Sequence, residues 1–199
     1  MNNIKNLHKY FLNNSGKRLH KWVHYFDIYE RHFQRYVDKK PVILEIGVHG
    51  GGSLEMWKNY FGHGSKVIGI DINPECKKHE SEGIEIFIGS QDDPNLLNEI
   101  KSKYPIIDIL LDDGSHMMSH MKKTFAEMYS FIDNNGIYLI EDTHTCYWKE
   151  YEGGVREKNS FMELSKDLID HLNAVHTRGV IQPSAFTKST GSICFYDSV

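Results

Sequence analysis

Three groups of residues in this sequence have the types and spacing to do chemistry. The stretch "ILLDDGSHMM" carries Asp112, Asp113 and His116 directly after an apolar run, and "GIYLIED" ends on Glu141 and Asp142. Carboxylates at the ends of buried strands are costly unless something neutralises them. A cluster of them selects a hard divalent cation, magnesium first with manganese or calcium as alternatives, because oxygen donors prefer such ions to zinc. His116 stands three residues beyond Asp113, at the start of a helix whose positive end favours neutral imidazole, the form a general base requires. The third group is "LEIGVHGGGS", in which Glu45 precedes Gly47, Gly50, Gly51, Gly52 and Ser53. Such a loop lets backbone approach a nucleotide-like ligand closely. Asp71, at the end of "VIGID", is placed to accept hydrogen bonds from two ribose hydroxyls. Taken singly, each acid serves as well as a helix cap, and the glycines as a tight strand-to-helix turn. Their joint arrival at neighbouring strand ends points to a site.

The elements that must position these residues follow from the apolar pattern. From Pro41 the chain alternates short apolar runs, "PVILEIGV", "KVIGIDI", "IEIFIG", "IIDILLDD" and "GIYLIED", with helical stretches at about 53–61, 94–102, 117–132 and 159–173. This is the βαβ alternation of a doubly wound, Rossmann-like, mostly parallel α/β sheet with helices on both faces, whose ligands sit beyond the carboxyl ends of the strands. Met121, Phe125, Met128 and Ile132 form the expected buried stripe of the helix after "DDGSH". A right-handed crossover then brings the fourth and fifth strands to one edge, so Asp113, Glu141 and Asp142 converge there. By the two-residue period of a strand, Asp112 points to the other side from Asp113, toward the cofactor or a helix N-terminus. Residues 1–40 form a separate helical segment packed on the core domain of residues 41–199. There Trp22, Phe26, Tyr29, Phe33 and Tyr36 recur at helical spacing. The last apolar run, "GSICFYDSV", reads as one strand, and the sheet is expected to lack a last antiparallel strand beside it.

Composition narrows the function classes. With 199 residues and 40% hydrophobic content, the chain holds one α/β domain with a real core. A net charge of −4 argues against a nucleic-acid partner, and no apolar run reaches membrane-spanning length. A cytoplasmic protein, with homo-oligomerisation, is the expectation. Cys76, Cys146 and Cys194 form no C-x-x-C pair, so neither a zinc site nor a disulfide framework is indicated.

A nicotinamide site would show G-x-G-x-x-G, whereas here an acidic residue precedes Gly-x-x-Gly-Gly-Gly-Ser. This arrangement resembles class I S-adenosylmethionine-dependent methyltransferases. The resemblance implies that Ser90, Gln91 and Asp92 of "IGSQDDPNLL" lie near the adenine, alongside Glu45, Gly47, Gly50, Gly51, Ser53, Asp71 and Asp112 as cofactor contacts. It becomes more specific when "HKWVHYFDIYERHF", "GIDINPEC", "DDGSH" and "YLIEDTHTCYW" are added. Together these motifs, in order from about residue 19 to 197, resemble the metal-dependent sugar O-methyltransferases, a group with macrolide-sugar methyltransferases as members and cephalosporin hydroxylase-like sequences at its margin. That resemblance implies S-adenosylmethionine and magnesium as cofactors, with Asp113, Glu141 and Asp142 on the metal and His116 as base. The expected reaction is methylation of one of two vicinal hydroxyls that chelate the metal.

His144 and Tyr147 are candidate acceptor contacts, and "KEYEGGVREKNS" reads as a mobile loop with Gly153 and Gly154 as possible hinges. A composition rich in Asn, Lys and Ile points to a bacterial surface-glycan sugar, of capsule or lipopolysaccharide, or its nucleotide-linked precursor, as acceptor. A Rossmann-like oxidoreductase, transfer to a non-sugar hydroxyl and a catalytically silent scaffold are the competing readings.

Overall fold

The computed structural model describes residues 6–199. Five strands, β1 (Val42–Ile46), β2 (Lys66–Asp71), β3 (Ile84–Ile88), β4 (Ile107–Asp112) and β5 (Ile132–Ile140), form one sheet in the order β3-β2-β1-β4-β5, every neighbouring pair parallel. The order reverses between β1 and β4, which places the switch point of the sheet at the glycine loop and "DDGSH".

Helices α1 (Leu7–Leu12), α2 (Tyr25–Phe33) and α3 (Gly52–Phe61) cover one face, where Tyr25, Tyr29, Phe33 and Trp57 share a core with Ile43, Ile109 and Leu111. Helices α4 (Pro94–Lys103) and α5 (Met118–Met128) cover the other, packing Leu97, Ile100 and Met128 on Leu44, Ile46 and Leu110. Local signals mark the ends. The Asp93 carboxylate caps α4, which starts on Pro94, and the Ser160 hydroxyl accepts from the Glu163 amide at 3.1 Å to start α6 (Phe161–Leu172). A short α7 (Ala185–Ser189) follows. Among the described residues no helix is long and apolar enough to cross a membrane.

Three expectations are corrected. The helix after "DDGSH" stops at Met128, and Ile132 is the first residue of β5. Asp133-Asn134-Asn135-Gly136 reads as a turn, yet it lies inside the strand as an irregularity, the pairing jumping from Ile107↔Ile132 to Ile109↔Ile137. A side chain at Gly136 would place its Cβ 2.8 Å from the Asp108 carbonyl, which explains a glycine at the bulge. In the N-terminal segment the aromatic stripe is not one helix through Trp22: α2 begins at Tyr25, and Trp22 lies in the stretch before it. Finally, "GSICFYDSV" forms no strand. It runs to a terminal turn closed by Tyr196 and Val199, and the Ser198 carbonyl accepts from the Thr143 amide beyond the end of β5.

Candidate active site

The carboxyl edge of the sheet opens on a cleft of about 530 Å³ lined by residues of the glycine loop, Asp71, Asp113, His116, Glu141, Asp142 and the segment Arg18–Trp22. Gly47 is required here. Its φ is +96°, and a Cβ would lie 2.1 Å from the Asp113 carbonyl oxygen, so the loops after β1 and β4 touch through it. At Gly52 a Cβ would lie 2.4 Å from the Arg18 carbonyl, to which the Gly52 amide donates at 3.2 Å. Part of the glycine signal therefore serves contact with the chain's own N-terminal segment. Asp71 closes the loop from below: its carboxylate accepts from the amides of Val48 and His49 at 2.9 Å and Asn73 at 2.8 Å. Burial pushes Asp71 up, but these three donors prevail and hold it below the ordinary carboxylate range.

The segment lying over the loop delivers a residue that sequence reasoning missed. The Lys21 ammonium is buried among Asp113 at 2.7 Å, Glu141 at 2.9 Å and Glu45 at 3.2 Å. Burial alone would lower its pKa, but the Asp113 and Glu141 carboxylates hold it well above the usual lysine value. Glu141 also accepts from the Tyr29 hydroxyl at 2.5 Å, and Glu45 from Ser53 at 2.8 Å. Burial, and next the Asp113 charge, push Glu141 upward, because three carboxylates share one ammonium. The need for a counter-charge was the only sequence signal for Lys21, and it did not name the residue.

Asp113, His116 and Asp142 converge at the cleft, with one ligand atom from each within 4.8 Å of the others. His116 Nε2 stands 3.9 Å from Asp113 Oδ1 and 3.9 Å from Asp142 Oδ2. His116 has φ +58° and Asp142 +55°, left-handed values that non-glycine residues rarely adopt. The Tyr25 hydroxyl donates to Asp142 at 2.7 Å and fixes its carboxylate. Glu141 lines the same cleft, with its carboxylate bonded to Lys21 and Tyr29. Hard oxygen donors backed by excess buried negative charge fit a magnesium-like cation, and the amide-lined loop with Asp71 fits a nucleoside-bearing cofactor.

The other expected residues lie elsewhere. Asp112 does point away from Asp113, into the α4/α5 face, where the Gln91 amide donates to both its oxygens at 3.1 Å. Burial pushes its pKa up to about 7. The same Gln91 amide donates to Thr124 at 3.1 Å and its carbonyl accepts from the Ser115 amide at 2.7 Å. Both Asp112 and Gln91 are buried in mutual contact and neither lines the cleft. Ser90 bonds to Asp92 nearby. His144 lies just beyond the cleft, stacked on Trp22 with 4.9 Å between ring centroids, and Tyr147 is half exposed. Gly153 is no free hinge: its amide donates to the Trp148 carbonyl at 2.8 Å and a Cβ would lie 2.4 Å from the Cys146 carbonyl.

No family model matches the sequence. Over 166 residues, 76% of this chain and 41% of the relative, it is 37% identical to demethylmacrocin O-methyltransferase of Streptomyces fradiae. Over 193 residues, 90% of this chain and 50% of the relative, it is 32% identical to a rhamnosyl tetracenomycin-C 2'-O-methyltransferase of Streptomyces olivaceus. The crystal structure of the MycE methyltransferase of the mycinamycin pathway, in complex with magnesium and S-adenosylhomocysteine, superposes with a TM-score of 0.83 at 29% identity, covering 96% of this chain and 51% of that one. The chain belongs to the sugar O-methyltransferase family. Its five-stranded parallel sheet is the class I methyltransferase fold of that family. The chain spans about half the length of the curated relatives it matches.

Proposed function

We propose that this protein transfers a methyl group from S-adenosylmethionine to a sugar hydroxyl in a magnesium-dependent reaction. The observation that carries this is the convergence of Asp113, His116 and Asp142 on a cleft floored by the glycine loop and Asp71. Support comes from relatives named as sugar O-methyltransferases and from the MycE complex with magnesium and S-adenosylhomocysteine.

In this reading S-adenosylmethionine supplies an electrophilic methyl group, and magnesium lowers the pKa of the acceptor hydroxyl and orients it. Asp113 and Asp142 supply the oxygen ligands. Glu141, which the family resemblance puts on the metal with them, lines the same cleft and is paired with Lys21 in this structure. His116 Nε2, beyond hydrogen-bond reach of both carboxylates, accepts the hydroxyl proton as the oxygen–carbon bond forms and the sulfur–carbon bond breaks. Asp71 receives the ribose hydroxyls while its amide partners keep it ionised.

The relatives named above are named for demethylmacrocin and for a rhamnosyl tetracenomycin-C. The finer expectation of a surface-glycan acceptor rests on composition and the family resemblance, so deoxysugars such as rhamnosides come first in an acceptor screen and nucleotide sugars and capsular oligosaccharides second. Calorimetry with S-adenosylmethionine and with NAD tests the class: S-adenosylmethionine should bind and NAD should not, and the reverse would overturn the proposal. Mass detection of a methylated sugar that disappears on chelation of magnesium tests the reaction.

A further inference from the structure

An arc of aromatic rings borders the cleft, anchored on the core through Trp22, which stacks on the buried Tyr25, and through Tyr151, which packs against the cluster around Met118 and Phe161. Trp22 stacks on His144 with 4.9 Å between centroids and 11° between planes, and His144 meets the edge of Trp148 at 4.7 Å. Trp148 lies 6.1 Å from Tyr151, which in turn lies 6.3 Å from His116. Both ends of the arc, Trp22 and His116, line the cleft, and the rings between them lie outside its lining, linked to those ends by ring contacts. The contrast with the rest of the aromatic stripe is sharp: Tyr25, Tyr29 and Phe33 are fully buried, whereas Trp22 is 39% and Trp148 46% exposed.

The scaffold under these rings is built. The Thr145 hydroxyl donates to the Asp142 carbonyl at 2.7 Å, and the Gly153 and Gly154 amides donate to the Trp148 and Cys146 carbonyls at 2.8 and 2.9 Å. Thr145 and Cys146 are buried. The rim is therefore tied through the backbone to the same residue, Asp142, that faces the cleft, which fixes the rings relative to the chemistry.

A pyranose ring has a matching division. Its hydroxyl edge is polar, while the axial C–H bonds on one side make an apolar face that packs on an aromatic ring. Carboxylates and an imidazole at one end of a surface and half-exposed indoles at the other offer partners for both. We propose that Trp22, His144, Trp148 and Tyr151 form a stacking platform for the sugar ring of the acceptor, or of the residue next to it, holding a hydroxyl toward His116. This deepens the sugar O-methyltransferase reading and rests on it for the identity of the acceptor.

The platform is tested without turnover by saturation-transfer NMR in the presence of S-adenosylhomocysteine and magnesium. The probe is methyl α-L-rhamnopyranoside, with threitol as an acyclic vicinal diol that has no ring face. Transfer from aromatic protons to the glycoside ring C–H protons is expected in the parent. Trp148→Ala should weaken glycoside binding about tenfold, as loss of one aromatic contact does. Trp148→Phe should restore most of it, and threitol should bind all three proteins alike. An unchanged melting temperature and S-adenosylhomocysteine affinity verify that the variants fold. Equal glycoside binding by the parent and Trp148→Ala, or no glycoside signal in a parent that binds S-adenosylhomocysteine, overturns the platform. Failure to bind S-adenosylhomocysteine instead removes the methyltransferase reading, and glycoside transfer in that sample still judges the platform.

Discussion

Asp112 and Asp113 are neighbours in sequence and end up in opposite environments. Asp112 faces α4 and α5, locked by the Gln91 amide, and its burial favours the neutral acid. Asp113 faces the cleft beside Lys21, His116 and Asp142, where a cation is nearby and solvent reaches it. One half of the strand end is a closed polar plug, the other an open charged site. A one-residue step in a strand decides this, because successive side chains leave opposite faces of the sheet. Identical chemistry thus serves packing on one side and reactivity on the other.

The comparison can be broken at four points. The largest effect on folding is expected at Lys21. Lys21→Met leaves Glu45, Asp113 and Glu141 without their shared counter-ion, and removing one partner of such a buried group costs about 3–5 kcal/mol. At roughly 2–4 °C per kcal/mol for a chain of this size, the melting temperature should fall by about 10 °C. Adding Glu141→Gln should return part of the loss in calorimetry; a fall of under about 2 °C would show that Lys21 is not the keystone of the charged side.

Asp113→Ala should leave folding nearly intact and lower methyl transfer by roughly 10²–10³-fold, the scale for removing a preorganised electrostatic group. Steady-state rates with manganese binding followed by electron paramagnetic resonance check both halves of this expectation. Asp112→Ala should do the opposite. It strips the Gln91 amide of two of its three acceptors, leaving Thr124, and costs about 1–3 kcal/mol of stability, with manganese affinity unchanged. If the two variants produced the same pattern, the distinction between the plug and the site would be wrong.

The smallest effect concerns pH. Asp71 is depressed in the folded protein, so its contribution to stability is present above the unfolded value of about 4 and fades as pH falls through the lower native value. Asp71→Asn should therefore lose a little stability at pH 6, measured by urea denaturation. The difference from the parent should close in strong acid.

Much of the sheet was legible because parallel strands buried on both faces read as apolar runs. β1 to β4 and the helices between them follow this pattern closely. The start of β5 was hidden because Asp133 to Gly136 carry turn residues for a bulge, which is a local departure that only pairing with β4 reveals. The terminal "GSICFYDSV" has the composition of a strand, but strand formation also needs a partner, and this segment bonds beyond β5 instead. In the site, the pairing of "DDGSH" with "IED" could be read from topology. The division of labour among their acids could not, since Glu141 meets Lys21 and Tyr29 from residues over a hundred positions earlier.

By itself the sequence determined the alternation of strands and helices, the strand ends that carry acids, and the side of the strand on which each aspartate falls. Those are consequences of local periodicity, which needs no knowledge of distant contacts. The tertiary structure decided which charges meet, through the N-terminal segment that brings Lys21 over the glycine loop and the two turns, after β4 and after β5, that set His116 and Asp142 at positive φ. Charge interactions depend on distance in space and on burial, and neither is encoded in residue spacing along the chain.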